Sequence, residues 1–297
     1  MYNIFITGST GFVGKNIFNY FIDKYSFFSY IKYTKIDIKQ NIVLHFAGIA
    51  HDLKNTLSKD DYYEVNTEFT KQIFDAFLDS NATVFITISS VKAVADKIDS
   101  VLTEDFTPKP ITHYGKSKLL AEQYILNKTI PDGKRVYVLR PSMIHGPGNK
   151  GNLNLLYKII SKGFPWPLGS FENKRSFCSI ENFCFIINEL ISNKNIPSGV
   201  YNIADDQPLS TNEIINLISK SQGKKPIILN ISQKLIKSIS KIGDFLKLPL
   251  NSERLNKLTE TYIVSNNKII TAMNKPLPLS AIEGLIKTFN SFNTSAK

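Results

Sequence analysis

Short, continuously apolar runs alternate with amphipathic stretches of helical period along the first half of the chain. Tyr2-Asn3-Ile4-Phe5-Ile6 reads as an opening strand, and the next segment puts Ile17, Phe18, Phe21 and Ile22 on one helical face. Further strands are expected at 27–33, 35–38, 41–48, 82–88 and 135–139. Helical spacing runs through 61–78 on Tyr62, Val65, Phe69, Ile73 and Phe77. It returns over 112–126 on Leu119, Leu120, Tyr124 and Ile125. Strands that are apolar throughout and alternate with helices specify a parallel sheet covered on both faces. The right-handed crossover rule then makes a doubly wound, Rossmann-type α/β fold the expected topology.

Beyond Pro141 the texture changes. Gly146-Pro147-Gly148, Gly151 and Phe164-Pro165-Trp166-Pro167-Leu168-Gly169 form loops. Helices are expected at 181–191 and 210–221, the second capped near Ser210, and one lysine-rich helical stretch at 231–258. A strand at 199–204 should return to the main sheet, and the residues after Ile286 should fray. The division is a dinucleotide lobe over 1–150 plus that strand, and a smaller substrate lobe over most of 151–297.

Composition narrows the function classes. No apolar run approaches the ~20 residues that span a bilayer, so no membrane insertion is expected. A strand and a glycine turn occupy the N-terminus, which makes the cytoplasm the expected compartment. Cys178 and Cys184 are the only cysteines and read as reduced core residues. The formal net charge is +11, carried mostly by scattered lysines with only four arginines. No like-charged block or basic aromatic stripe appears, so a small anionic substrate is expected and nucleic acid is not. His45, His51, His113 and His145 do not fall at metal-ligand spacings, and no metal is implied.

Thr7-Gly8-Ser9-Thr10-Gly11-Phe12-Val13-Gly14 joins the first strand to the first helix. A glycine turn at a helix N-terminus presents backbone N–H groups and the positive dipole end, which suits a pyrophosphate. Its Gly-x-x-Gly-x-x-Gly spacing differs from the standard dinucleotide fingerprint, and a plain strand-to-helix turn is the alternative. Gly8, the segment after Leu44, Ser89-Ser90 and Pro141 all lie at carboxyl ends of expected strands, where open α/β sheets bind ligands. Tyr114 and Lys118 share one face of the 112–126 helix. A phenol has a pKa near ~10, and a neighbouring ammonium lowers it towards acid–base use at neutral pH. A hydroxyl at Ser90 could hold the reacting oxygen while a nicotinamide moves a hydride.

Together these residues resemble the extended short-chain dehydrogenase/reductase family, in its nucleotide-sugar epimerase, dehydratase and reductase branch. The resemblance covers nearly the whole chain. It implies that Ser90, Tyr114 and Lys118 are catalytic. It implies cofactor contacts from Gly8, Thr10, Gly11, Phe12, Val13 and Gly14 at the turn, and from Asp37 and Ile38 near the adenine. Phe46, Ala47 and Gly48 in the segment running to His51, with Asn66, Ser89, Tyr114, Lys118, Pro141 and Met143, complete the implied cofactor site. Ser90, Asn152 and Arg175 would meet the substrate, Arg175 at its diphosphate, although Asn152 reads equally as a loop cap. His145 stands where the family has a tyrosine, and Asn202-Ile203-Ala204 and Glu283-Gly284-Leu285 match late family positions. Val91-Lys92 replaces the Asp-Glu pair of the dehydratases, so dehydration is not expected.

The implied activity is NAD(P)-dependent oxidoreduction at carbon 4 of a UDP-sugar. The favoured form is reduction of a UDP-4-keto-6-deoxy-N-acetylhexosamine in surface-polysaccharide synthesis. A 4-epimerase is the alternative, and a non-catalytic dinucleotide sensor a distant third. No acid closes the second strand near Tyr33-Thr34-Lys35, and Lys32 or Lys35 could accept a 2′-phosphate. The cofactor is therefore NAD or NADP, with the reading leaning to NADPH. A homodimer paired through the helices after Asp61 and Thr112 is expected.

Overall fold

The computed structural model describes residues 2–31, 34–49, 58–149, 151–246 and 251–294. In chain order the elements begin with β1 (Asn3–Thr7), α1 (Phe12–Phe21), β2 (Ser26–Ser29) and β3 (Ile42–His45). Next come α2 (Lys59–Tyr63), a π-helical segment (Glu64–Glu68) and α3 (Phe69–Asp79), wound as one helix. They are followed by β4 (Val84–Ile88), a 3₁₀ turn (Val91–Ala93), β5 (Val101–Leu102), α4 (His113–Leu126), β6 (Arg135–Pro141) and β7 (Met143–His145). The remainder carries α5 (Asn152–Ser161), β8 (Phe177–Ser179), α6 (Ile180–Ser192), β9 (Gly199–Ile203) and α7 (Thr211–Ser221). It ends with α8 (Gln233–Leu246), α9 (Ser252–Thr259), β10 (Ile263–Val264), α10 (Asn267–Met273) and α11 (Ala281–Thr294).

Six strands form one parallel sheet in the order β2-β1-β3-β4-β6-β9. The doubly wound α/β expectation holds, and the strand at 199–203 does return to the sheet edge. Strand period explains the two faces. Ile4, Ile6, Leu44, Ile86 and Leu139 point to the layer of α1, α6 and α10. Phe5, Val43, Phe85 and Val138 point to the layer of α3 and α4. The chain runs from β1 outward to β2 and then crosses to β3 on the other side of β1, so the order reverses between β1 and β3. The crevice above those two strand ends is where a doubly wound sheet binds its ligand. A second hydrophobic core, from α5, α7, α8, α9 and α11, gathers around Trp166, Ile215 and Phe289.

Several expectations are corrected. Residues 35–38 form no strand; Ile38 instead buries its side chain with Phe5 and Val43. The second strand ends at Ser29, and Lys32 and Tyr33 lie outside the described residues. The 231–258 stretch is two helices, α8 and α9, with 247–250 outside the described residues. Helix α5 fills the stretch between the expected loops at Gly151 and Phe164, where no helix is expected. The chain does not fray after Ile286: α11 continues to Thr294, because Phe289 stacks on Tyr157 of α5 and Phe292 meets it edge-on. Residues 295–297 lie outside the description.

Candidate active site

Gly8 follows β1 with φ +72°, and a Cβ there would lie 2.5 Å from the Phe46 carbonyl carbon and the Ala47 nitrogen. The turn therefore nests against the segment leaving β3, which only a glycine permits. Gly11 donates its N–H to the Gly8 carbonyl at 3.1 Å. A Cβ on Gly14 would sit 2.2 Å from that same oxygen. Gly11 is the N-cap of α1, and no side chain caps the helix. Uncapped first-turn amides over a cradle without side chains fit a pyrophosphate. Gly8, Thr10, Gly11, Phe12, Val13 and Gly14 would hold it there.

Beneath the crevice, buried polar groups form a chain. The Ala47 N–H donates to Thr7 Oγ1 at 3.1 Å. The Thr70 hydroxyl donates to the Asn66 carbonyl at 2.8 Å and so accepts from His45 Nε2 at 2.9 Å. His45 Nδ1 is left to accept from Thr7 Oγ1 at 2.8 Å. Burial, then the Lys118 charge, lowers the His45 pKa to about 3, which keeps the ring neutral in that tautomer. The Asn66 amide clamps Ile49 through both its backbone groups and donates to Ser117 on α4. Asn66 lies in the π-helical segment. Ala50 and His51, the end of the expected cofactor segment, lie outside the described residues.

Ser90, Tyr114 and Lys118 come together at the mouth of the crevice. The Ser90 hydroxyl hydrogen-bonds with the Tyr114 phenol, and Lys118 Nζ donates to the Ile88 carbonyl at 2.9 Å. A Cβ on Gly48 would meet Lys118 Nζ at 2.9 Å and Asn66 Oδ1 at 3.1 Å, so ammonium, amide and the post-β3 backbone converge. Asp96 sets the start of α4. Its carboxylate accepts from the Ile111 N–H at 2.6 Å and from the Thr112 hydroxyl at 2.9 Å, and Thr112 then caps the helix. Burial lowers the Lys118 pKa to about 8, opposed by Glu122. Burial raises the Tyr114 pKa, and the Ser90 hydrogen bond only partly offsets it. That corrects the expectation of a lowered phenol: desolvation of the buried ring dominates.

A buried ion pair supports this row from below. Arg140 donates through Nε and Nη2 to the Glu122 carboxylate, at 2.6 Å for the shortest contact. Ser89 also donates to Glu122. The only mark of Glu122 in the sequence is its place one helical turn after Lys118, on the same face. His145, at the family's tyrosine position, is fully buried away from this cluster. Its Nδ1 is 2.8 Å from Thr288 Oγ1, and Nε2 is 3.5 Å from an Asp205 oxygen without hydrogen-bond geometry.

Arg175 donates to the Lys257 carbonyl at 2.8 Å and pairs with Glu260 at 2.9 Å. Lys92 stacks over Tyr262 at 4.2 Å, close enough to Arg175 and Glu260 for their charges to act on it. Tyr262 donates to the Val91 and Ala95 carbonyls and so ties the turn after Ser90 to the segment before β10. Asn152 is exposed at the first position of α5, and Gly151, not Asn152, is the N-cap. Pro141 ends β6 and Met143 begins β7 beside the crevice. Asp37 is exposed and pairs with Lys39 at 3.0 Å.

Known proteins resemble the chain as a whole. The NAD dependent epimerase/dehydratase family model matches residues 29–204, more than half of the chain. A UDP-glucose 4-epimerase of Vibrio cholerae is 27% identical over 98% of this chain and 95% of its own length. An N-acetyl-alpha-D-glucosaminyl-diphospho-ditrans,octacis-undecaprenol 4-epimerase of Escherichia coli O157:H7 is 29% identical over 75% of this chain and 73% of its own. Among solved structures, MoeE5 in complex with UDP-glucose and NAD superposes with a TM-score of 0.75, covering 99% of this chain and 100% of that one at 17% identity, which speaks for the fold. The chain belongs to the NAD-dependent epimerase/dehydratase family of enzymes.

Proposed function

We propose that the protein reduces the 4-keto group of a UDP-4-keto-6-deoxy-N-acetylhexosamine with NADPH. The observation that carries this reading is the meeting of Ser90, Tyr114 and Lys118 above the glycine cradle, with the phenol held protonated by burial. When bound, the nicotinamide supplies a hydride to carbon 4. Tyr114 gives its proton to the carbonyl oxygen, Ser90 hydrogen-bonds that oxygen, and the Lys118 charge stabilises the phenolate that remains. Arg175 and Asn152, from the lobe built mostly of 151–297, meet the nucleotide end of the substrate. Among the described residues no carboxylate closes β2; Asp37 lies beyond it and is paired with Lys39. That favours a 2′-phosphate over a free ribose hydroxyl.

A 4-epimerase working on bound NAD is the second reading, favoured by the two curated relatives. It extends to a sugar diphosphate on a polyprenol, the substrate in the name of the E. coli relative. The reductase reading goes with surface-polysaccharide synthesis, and the cytoplasm is the proposed compartment for either. We further propose a homodimer joined through α3 and α4, measurable as solution mass.

The deciding experiment gives the purified protein a 4-keto UDP-sugar with NADPH or NADH. Stoichiometric loss of reduced-nicotinamide absorbance supports the reductase. Interconversion of 4-hydroxyl sugars on retained NAD, without net consumption, supports the epimerase. Tyr114→Phe should lower either turnover by about 10²–10⁴-fold while sparing cofactor affinity. Near-normal turnover in that variant would sink both.

A further inference from the structure

Helix α8 buries only one side. Ile236, Ser240 and Gly243 face α9 and the second hydrophobic core. Leu235, Ile239, Ile242 and Leu246 follow at i, i+4, i+7 and i+11, a second apolar stripe, and all four are exposed. Phe245 beside them is 86% exposed. Lys234, Lys237 and Lys241 form a row along the stripe's free flank and make no ion pair among the described residues. Asp244 is the one acid on the helix, and both its oxygens are taken by Ser252. The segment before α8 also exposes apolar side chains. Phe164, Ile227 and Leu229 are exposed where residues 166–168 pair with 228–230, and Lys224 and Lys225 precede them.

A contiguous apolar patch of this kind on a folded chain marks a contact surface. We propose that it docks on an anionic lipid bilayer, with α8 lying in the plane of the interface. The charge pattern selects this occupant. An apolar stripe beside a lysine row is the signature of an interfacial helix: apolar side chains enter the acyl boundary and lysines meet lipid phosphates. A two-fold pairing of two copies through α8 would instead bring two lysine rows together with no free acid to receive them. Expecting no membrane insertion, from the lack of a spanning segment, does not exclude this mode. Fourteen residues lying flat extend about 21 Å along the surface and cross nothing. The position also suits the site: α8 packs on α9, and Lys257 and Glu260 at the end of α9 hold Arg175.

The test is co-sedimentation of the full chain with phosphatidylethanolamine–phosphatidylglycerol vesicles, against phosphatidylcholine vesicles, at low and high salt. The protein should pellet with the anionic vesicles and be partly released by salt. Ile239→Asp with Phe245→Asp should weaken binding at least about tenfold. Lys234→Gln, Lys237→Gln and Lys241→Gln should each weaken it roughly fivefold. All are surface changes, and an unshifted thermal midpoint confirms folding. Wild-type protein that stays in the supernatant with anionic vesicles overturns the proposal. So does a solution mass that falls from dimer to monomer in the double variant, which assigns the face to a second copy. Sedimentation reads neither turnover nor cofactor, so this result stands apart from the proposed reaction.

Discussion

A Cβ on Gly115 would lie 2.3 Å from the carbonyl oxygen of Lys92. Helix α4 reaches the turn after Ser90 only because nothing projects at that position. Gly115→Ala should push the start of α4 away and part Tyr114 from Ser90. Overpacking of this kind costs about 1–3 kcal/mol. Misplacing a reacting group by about 1 Å can cost about 10²-fold in rate. Turnover should therefore fall about a hundredfold with a thermal midpoint only a few degrees lower. Cofactor titration should be unchanged, because Gly8, Gly11 and Gly14 are untouched. Full turnover in this variant would contradict the proposed role of the close approach.

Glu122 joins structure to chemistry. It neutralises the buried Arg140 and is the charge that raises the Lys118 pKa. Glu122→Gln leaves the guanidinium buried without its partner, at a cost of about 3–5 kcal/mol. For a chain of this length that is a midpoint lower by about 5–8 °C. The same change removes the charge that holds the Lys118 proton, so the alkaline limb of the rate profile should move to lower pH. Scanning calorimetry and a pH–rate profile separate the two effects. A stability loss with an unmoved alkaline limb would confine Glu122 to support.

The sheet and much of the site were legible because their signals are local. Strand period, the glycine turn and the Tyr114–Lys118 spacing each occupy a few residues. What could not be read there depends on contacts across the fold. Ile38 leaves the strand pattern to fill a gap beside Phe5. The last helix persists because Tyr157, far away in sequence, packs on Phe289 and Phe292. The Tyr114 pKa rises where a spacing argument has it fall, since spacing shows the nearby lysine but not the burial. Asp96 carries no local mark of its role, because its partners Ile111 and Thr112 lie on another segment.

His45 should dominate acid sensitivity. Its folded pKa is lowered to about 3, whereas the unfolded imidazole titrates near 6.5. A lowered folded pKa means stability that is complete above the unfolded value and is lost as pH falls from there towards 3. At pH 5 the imidazole alone should cost about 2 kcal/mol. His45→Gln removes this titration and should flatten the fall of urea-unfolding stability between pH 6.5 and 5, from a lower starting value because the Thr7 and Thr70 hydrogen bonds are disturbed. An equally steep fall in the variant would place the acid sensitivity elsewhere.

Lys118 should show function opposing stability. Burial lowers its pKa from 10.5 to about 8, so holding the ammonium in the fold at neutral pH is unfavourable by about 3 kcal/mol. Lys118→Met removes that penalty and gives up the hydrogen bond to the Ile88 carbonyl, worth about 1 kcal/mol. The variant should gain about 2 kcal/mol at pH 7 and lose turnover, because the Ser90 hydroxyl alone is left to stabilise the Tyr114 phenolate. The gain should depend on pH in a set direction. Between about pH 8 and 10.5 the unfolded lysine binds more protons than the folded one, so the wild type gains stability as pH rises through that window. The difference between the proteins should shrink over the same range. Urea unfolding at pH 7 and pH 10 measures it. A variant less stable than the wild type at pH 7 would mean that the hydrogen bond and packing outweigh the buried charge.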